Sequence, residues 1–139
     1  DFNETALSIA KEGIYQLEKI REYSENYIKG GGKGSFSEYY HAQYDNVIMA
    51  KFLRKNMTFA RHNLVSDQVF GEMHLILCRN VVIYFDRTLQ DRVFHLFDES
   101  LAHSAFLCLG SKESLKFSEV MDRFTEFDPK VKIYRKKAL

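Results

Sequence analysis

Charge of one sign is what this sequence has least of. Its 20 Lys and Arg residues stand against 19 Asp and Glu, a net charge of +1, so no global field draws the chain to nucleic acid or to an anionic membrane. The basic residues near the C-terminus (Lys130, Lys132, Arg135, Lys136, Lys137) read as a solvated edge strand. Long apolar runs are missing too. None approaches a membrane span, and the N-terminus carries no signal-peptide pattern. Cysteine is scarce: Cys78 and Cys108 both sit in apolar, strand-like runs, which predicts buried free thiols in a reducing cytoplasm instead of a disulfide. The five histidines (His41, His62, His74, His95, His103) show no ligand spacing and no cysteine cluster exists, so no metal site is expected. Ser111 lies outside any nucleophile-elbow pattern, and neither a Walker loop nor GxGxxG occurs.

With 139 residues, 45% apolar and 28% charged, the chain has the size and composition of one globular domain. Asn3 caps a helix that carries Ala6, Leu7, Ile9 and Ala10 and ends at Gly13. A second helical pattern runs through Leu17, Ile20, Tyr23 and Tyr27. Gly30-Gly31-Gly32-Lys33-Gly34 then reads as a flexible joint. Residues 36–57 fit a hairpin turning at Asp45-Asn46, and a helix over 47–55 fits nearly as well. Strands are expected at 57–61, along 75–86 as one longer strand with a bend after Asn80, at 105–109, and as a terminal hairpin over 124–127 and 131–135. Leu89, Val93, Leu96, Phe97 and Leu101 form a helical stripe, with Thr88 and Asp91 spaced as a capping box.

Alternating helices and apolar strands predict an α/β fold whose sheet is covered on both faces. Ligands of such sheets bind outside the carboxyl ends of the strands. Those ends are His62-Asn63-Leu64, Cys78-Arg79-Asn80 and Gly110-Ser111. A structural polar network would explain Arg79 and Asn80 equally well.

Longer motifs say more. LILCRNVVIYFDRTLQDRVFHLF (75–97) resembles the signature of the chemotaxis receptor methyltransferases, the CheR-type family. DFNETALSIAKEGIY (1–15), FARHNL (59–64) and LGSKESL (109–115) resemble three further family segments, in order. The resemblance covers nearly the whole chain. It implies a Rossmann-like class I S-adenosylmethionine-dependent methyltransferase sheet with a terminal antiparallel hairpin. The implied activity is transfer of a methyl group from S-adenosylmethionine to receptor glutamates, leaving S-adenosylhomocysteine. The implied partners are the cytoplasmic domains of methyl-accepting chemotaxis receptors, and the implied location is cytoplasmic, with no membrane insertion.

Carried over position by position, the resemblance places Asp1 against the ribose hydroxyls, and Asn63 and Leu64 beside the adenine. Arg79 and Asn80 fall next to the cofactor's methionine portion and the incoming glutamate, with Tyr84 as the active-site tyrosine. A glutamate, with a reference pKa of about 4.3, is already a nucleophile at neutral pH and needs no general base.

The family's glycine-rich loop, of G-C-S-T-G-E-E type, would precede Asp1. The resemblance therefore implies a C-terminal portion of the methyltransferase domain over 1–139, lacking the first, central strand, with 31–57 as a small inserted β-subdomain. Such a fragment is expected to bind cofactor poorly, to be inactive alone, and to dimerise or swap strands. In some members of the family that subdomain docks a receptor peptide by strand addition. Where the family has a P-G-G turn, this chain has Leu101-Ala102-His103-Ser104-Ala105, a structural departure. A receptor-binding module without turnover is the competing reading. A nucleic-acid or small-molecule methyltransferase is disfavoured by neutral charge and by the missing N/D-P-P-Y/F motif.

Overall fold

The computed structural model describes residues 1–138, which form two compact units divided between His62 and Asn63. In the first unit, helix α1 (Glu4–Glu12) starts where the sequence predicts. The Asn3 Oδ1 accepts from the Thr5 and Ala6 N–H groups at 2.9 and 3.1 Å, and Gly13 ends the helix in the left-handed region at φ 66°. Strand β1 (Ile14–Gln16), helix α2 (Ile20–Lys29) and strands β2 (Tyr40–Gln43) and β3 (Asn46–Met49) follow. The three strands make an antiparallel sheet in the order β1-β3-β2, with Val47 of the central strand fully buried. The hairpin therefore forms, but it turns at Tyr44–Asp45, one residue earlier than expected, because Gln43 pairs with Asn46. Its sheet also reaches outside 31–57, since β1 supplies the third strand.

The glycine run is no open joint. It is a helix terminus wrapped around Tyr27, whose carbonyl accepts from the Gly32 N–H at 2.8 Å and whose hydroxyl donates to the Lys33 carbonyl at 2.6 Å. A Cβ at Gly32 would stand 2.4 Å from the Tyr27 ring, so any larger residue there would have to displace that ring. The strand expected over 57–61 is absent. Two bonds bracket Arg61, from the Asp1 amino group to the Ala60 carbonyl and from the His62 N–H to the Asp1 carbonyl. One bridge of that kind does not make a ladder.

The second unit holds β4 (Met73–Cys78), α3 (Arg87–Ser100), β5 (Leu101–Leu109), β6 (Phe124–Asp128) and β7 (Ile133–Lys136). They form a mixed sheet in the order β4-β5-β7-β6: β4 and β5 are parallel, and the terminal hairpin is antiparallel. The predicted α/β class and terminal hairpin are both present. Asp86, and not Thr88, caps α3, accepting from the Leu89 N–H at 2.9 Å. The helical stripe lands where predicted through Val93, Leu96 and Phe97, all buried, but Leu101, expected on the helix, is the first residue of β5, which starts four residues earlier than the sequence suggests. Val93, Phe94 and Phe97 pack with Ile76, Cys78, Leu107, Leu109 and Tyr134 in one core.

Coverage of both sheet faces, however, is not what the structure has. Along β4 the buried Ile76 and Cys78 alternate with Leu75 and Leu77, which are 55% and 67% exposed. The outer edge of β4 is also unpaired among the described residues. An apolar strand with a bare edge and a bare face invites pairing with another chain. Sedimentation of this 139-residue chain on the order of 100 µM should show oligomers. Leu77→Lys, which puts a charge on that face, should shift the distribution toward monomer. A chain that stays monomeric at that concentration would contradict the expectation.

Candidate active site

The parallel pair creates the site. Cys78 is in register with Leu109, so the next residues, Arg79 and Gly110, leave the sheet side by side at its carboxyl edge. The apolar run that follows Asn80 does not continue as a strand; Val82–Tyr84 is a single 3-10 turn. Asn80 makes the corner, with φ at 60°, a left-handed conformation that asparagine tolerates better than most residues. Gly110 lies against that corner. A Cβ there would be 2.6 Å from the Asn80 Oδ1, 2.8 Å from the Asn80 nitrogen and 2.8 Å from the Glu113 Oε2.

Two side chains hold the turn. The Glu113 carboxylate, 3% exposed, accepts from the N–H groups of Asn80, Val81, Ile83 and Gly110 at 3.0, 2.8, 3.3 and 2.6 Å. From α3, the Gln90 amide donates to the Val82 and Phe85 carbonyls, both at 3.0 Å. Donors and acceptors of one short turn are thus taken up by two different side chains, as a part-buried backbone requires.

Arg79, Asn80 and Tyr84 therefore share one turn. Arg79 and Asn80 are exposed, and the Arg79 guanidinium makes no hydrogen bond or ion pair among the described residues. The Tyr84 ring is 80% exposed. Asn63 and Leu64 lie in the same unit on a separate turn. The Asn63 Oδ1 accepts from the Val65 N–H at 2.9 Å, its N–H donates to the Asp67 carboxylate at 2.8 Å, and Leu64 packs against the core. Asp1 belongs to the first unit, where one carboxylate oxygen accepts from the Asn3 N–H at 2.9 Å. Reading the residues did not single out Glu113 or Gln90 as site residues. The only signal for Glu113 was its place inside the GSKESL segment.

Cys78, a free thiol under this turn, has its pKa pushed up to about 11, chiefly by burial and secondarily by the negative charge of Glu113. An acid whose folded pKa lies above its unfolded value keeps its proton longer in the native state. Its contribution is therefore intact below the ordinary thiol range and is lost as pH rises toward 11. The urea midpoint should fall between pH 8 and pH 10.5, and Cys78→Ala should shrink that fall. An equal fall in both proteins would contradict this origin.

A mixed sheet with an exposed polar turn at the carboxyl edge of its parallel pair is consistent with the fold of an S-adenosylmethionine-dependent methyltransferase. Over residues 1–132 the chain matches the family described as CheR methyltransferase, SAM binding domain, and it belongs to that family. A Pseudomonas putida protein bearing the methyltransferase name Cher3 is 52% identical over 136 residues, covering 98% of this chain and 50% of that protein. The chemotaxis protein methyltransferase of Listeria monocytogenes is 31% identical over 117 residues, 83% of this chain and 41% of that protein. The one from Escherichia coli K12 is 30% identical over 132 residues, 90% and 42% respectively. The chain thus spans half or less of the length of these relatives.

The family implies S-adenosylmethionine as cofactor, and the donor set fits it in kind. The Asn63 oxygen is committed to Val65, which leaves its amide NH₂ group to donate to an adenine nitrogen. Arg79 and Asn80 present a cation without a partner among the described residues and an exposed amide, at a corner that Gly110 lets approach closely.

Proposed function

We propose that this chain is the cofactor-binding and catalytic portion of a methyltransferase that esterifies glutamate side chains on the cytoplasmic domains of chemotaxis receptors. The observation that carries the reading is the exposed Arg79–Asn80–Tyr84 turn at the carboxyl edge of β4 and β5. Membership of the CheR family, and the names of the Listeria and Escherichia coli relatives, support it.

S-adenosylmethionine, when bound, supplies a methyl group on a sulfonium, already a strong electrophile. The receptor glutamate is ionised at neutral pH, so the protein has no proton to remove. Its residues have to hold the carboxylate oxygen in line with the methyl carbon and keep water away, and positioning of that kind can account for much of a rate enhancement. Arg79 attracts and orients the incoming carboxylate. A tight salt bridge would blunt the nucleophile, so Arg79 steers while the Asn80 amide or the Tyr84 hydroxyl donates the positioning hydrogen bond. Asp1 takes the ribose, and Asn63 with Leu64 flanks the adenine.

The test is calorimetric titration of the intact protein with S-adenosylmethionine, together with methyl transfer to receptor-containing membranes. Binding with transfer supports the proposal. Receptor binding without transfer would favour a docking module instead.

A further inference from the structure

We infer that Glu113 is the positioning residue of this site: its carboxylate fixes the backbone of Asn80, Val81 and Ile83 and so sets where Arg79, Asn80 and Tyr84 stand. The inference rests on the functional reading above. It starts from an electrostatic oddity. A carboxylate that is 3% exposed is costly to bury without a partner, yet among the described residues Glu113 forms no ion pair. Its charge is met by four backbone N–H groups instead.

All four donors belong to the two turns that leave the parallel strands. Oε1 takes Val81 at 2.8 Å and Ile83 at 3.3 Å; Oε2 takes Asn80 at 3.0 Å and Gly110 at 2.6 Å. Three of the four belong to the turn that carries the candidate catalytic side chains, 30 to 33 residues away along the chain. Bonds to an ionised acceptor are shorter and stronger than neutral ones, so the clamp is stiff.

The residue type follows from the same geometry. Four converging donors need an acceptor-only group with two oxygens, and an ionised carboxylate is the side chain that meets that need. Glutamine would offer one oxygen and turn an NH₂ group toward two N–H donors. Asn80 adds a second requirement, because its left-handed backbone at φ 60° is a conformation most residues avoid. A bond from its own N–H to Glu113 holds it there, and Gly110 leaves room for the approach. Glu113 itself is nearly buried, whereas Arg79 and Tyr84 are exposed. It therefore acts through the turn.

The experiment compares the intact wild-type protein with Glu113→Gln and Glu113→Asp. S-adenosylmethionine affinity is measured by calorimetry, and amide hydrogen exchange is followed at Asn80, Val81 and Ile83, at a temperature where circular dichroism shows each protein folded. Glu113→Gln should weaken cofactor binding at least tenfold and speed exchange at those three amides at least tenfold. Glu113→Asp, which keeps the charge and both oxygens, should recover part of both losses. Affinity within twofold of wild type in folded Glu113→Gln overturns the inference, even if the melting temperature falls. If Glu113→Gln does not fold, Glu113→Asp is read alone, and wild-type affinity and exchange in that variant overturn it. Wild-type protein that binds no cofactor sinks the functional reading instead; the clamp is then judged on exchange, where equal rates in wild type and variant reject it.

Discussion

Arg79→Ala in the intact protein should lower kcat/KM for receptor methylation roughly 10- to 100-fold, the scale lost when one charge-assisted contact to a reacting carboxylate disappears. The loss should be largest at low receptor concentration, because a cation that steers an anion acts on encounter and orientation. It should also shrink as salt rises, since exposed charges are screened over about 10 Å at 0.1 M ionic strength. The structure gives a reason to expect this without collapse of the fold: Arg79 is exposed and has no partner among the described residues, so its removal orphans no buried group. Unchanged turnover at low receptor concentration would remove the steering role and return Arg79 to a strand-end solubilising residue.

Tyr134→Ala should be the most damaging of these substitutions to the second unit, at about 3–5 kcal/mol. Tyr134 lies on β7, is 1% exposed, and belongs to the same core as Phe97, Leu107 and Leu115. Its hydroxyl lies 3.4 Å from both the Leu115 N–H and the Ser114 hydroxyl, which ties the GSKESL loop to the terminal hairpin. Total stabilities of about 5–15 kcal/mol make such a loss close to unfolding. Tyr134→Phe keeps the ring and deletes only those long contacts, so it should cost no more than about 1 kcal/mol. Urea denaturation separates the two. Similar midpoints for the alanine and phenylalanine variants would mean that the ring is not the anchor of this core.

Local signals in the sequence translated well. The Asn3 cap, the Gly13 stop and the α3 stripe through Phe97 depend on residues within a few positions of one another, and each lands where the pattern puts it. Short apolar runs translated less well. Val81-Val82-Ile83-Tyr84 has the composition of a strand, but periodicity cannot tell a buried strand from a buried turn of helix. The deciding facts are a left-handed Asn80 and a carboxylate 33 residues away. Asp86 outcompeted Thr88 because both are capping types and only the entry angle of the chain chooses between them. The exposed leucines of β4 were unreadable for another reason: composition shows that a strand is apolar on both faces, not what covers each face.

The candidate site divides in the same way. Arg79 and Asn80 were legible because they are adjacent in sequence and fall at a strand end, whereas Tyr84 entered only through the family resemblance. Glu113 and Gln90 were not, because their role exists only once two turns and a helix meet.

The most direct measurement of the central proposal uses the chemistry of the product. Glutamate methyl esters hydrolyse in alkali and release methanol, whereas methyl groups on nitrogen remain attached. Intact protein, receptor-containing membranes and S-adenosylmethionine carrying a labelled methyl group are incubated, and the receptor fraction is then treated with base. The proposal predicts label on the receptor that is released as volatile methanol, and strongly reduced label with Arg79→Ala. Label that resists alkali, or no label on the receptor at all, would contradict it.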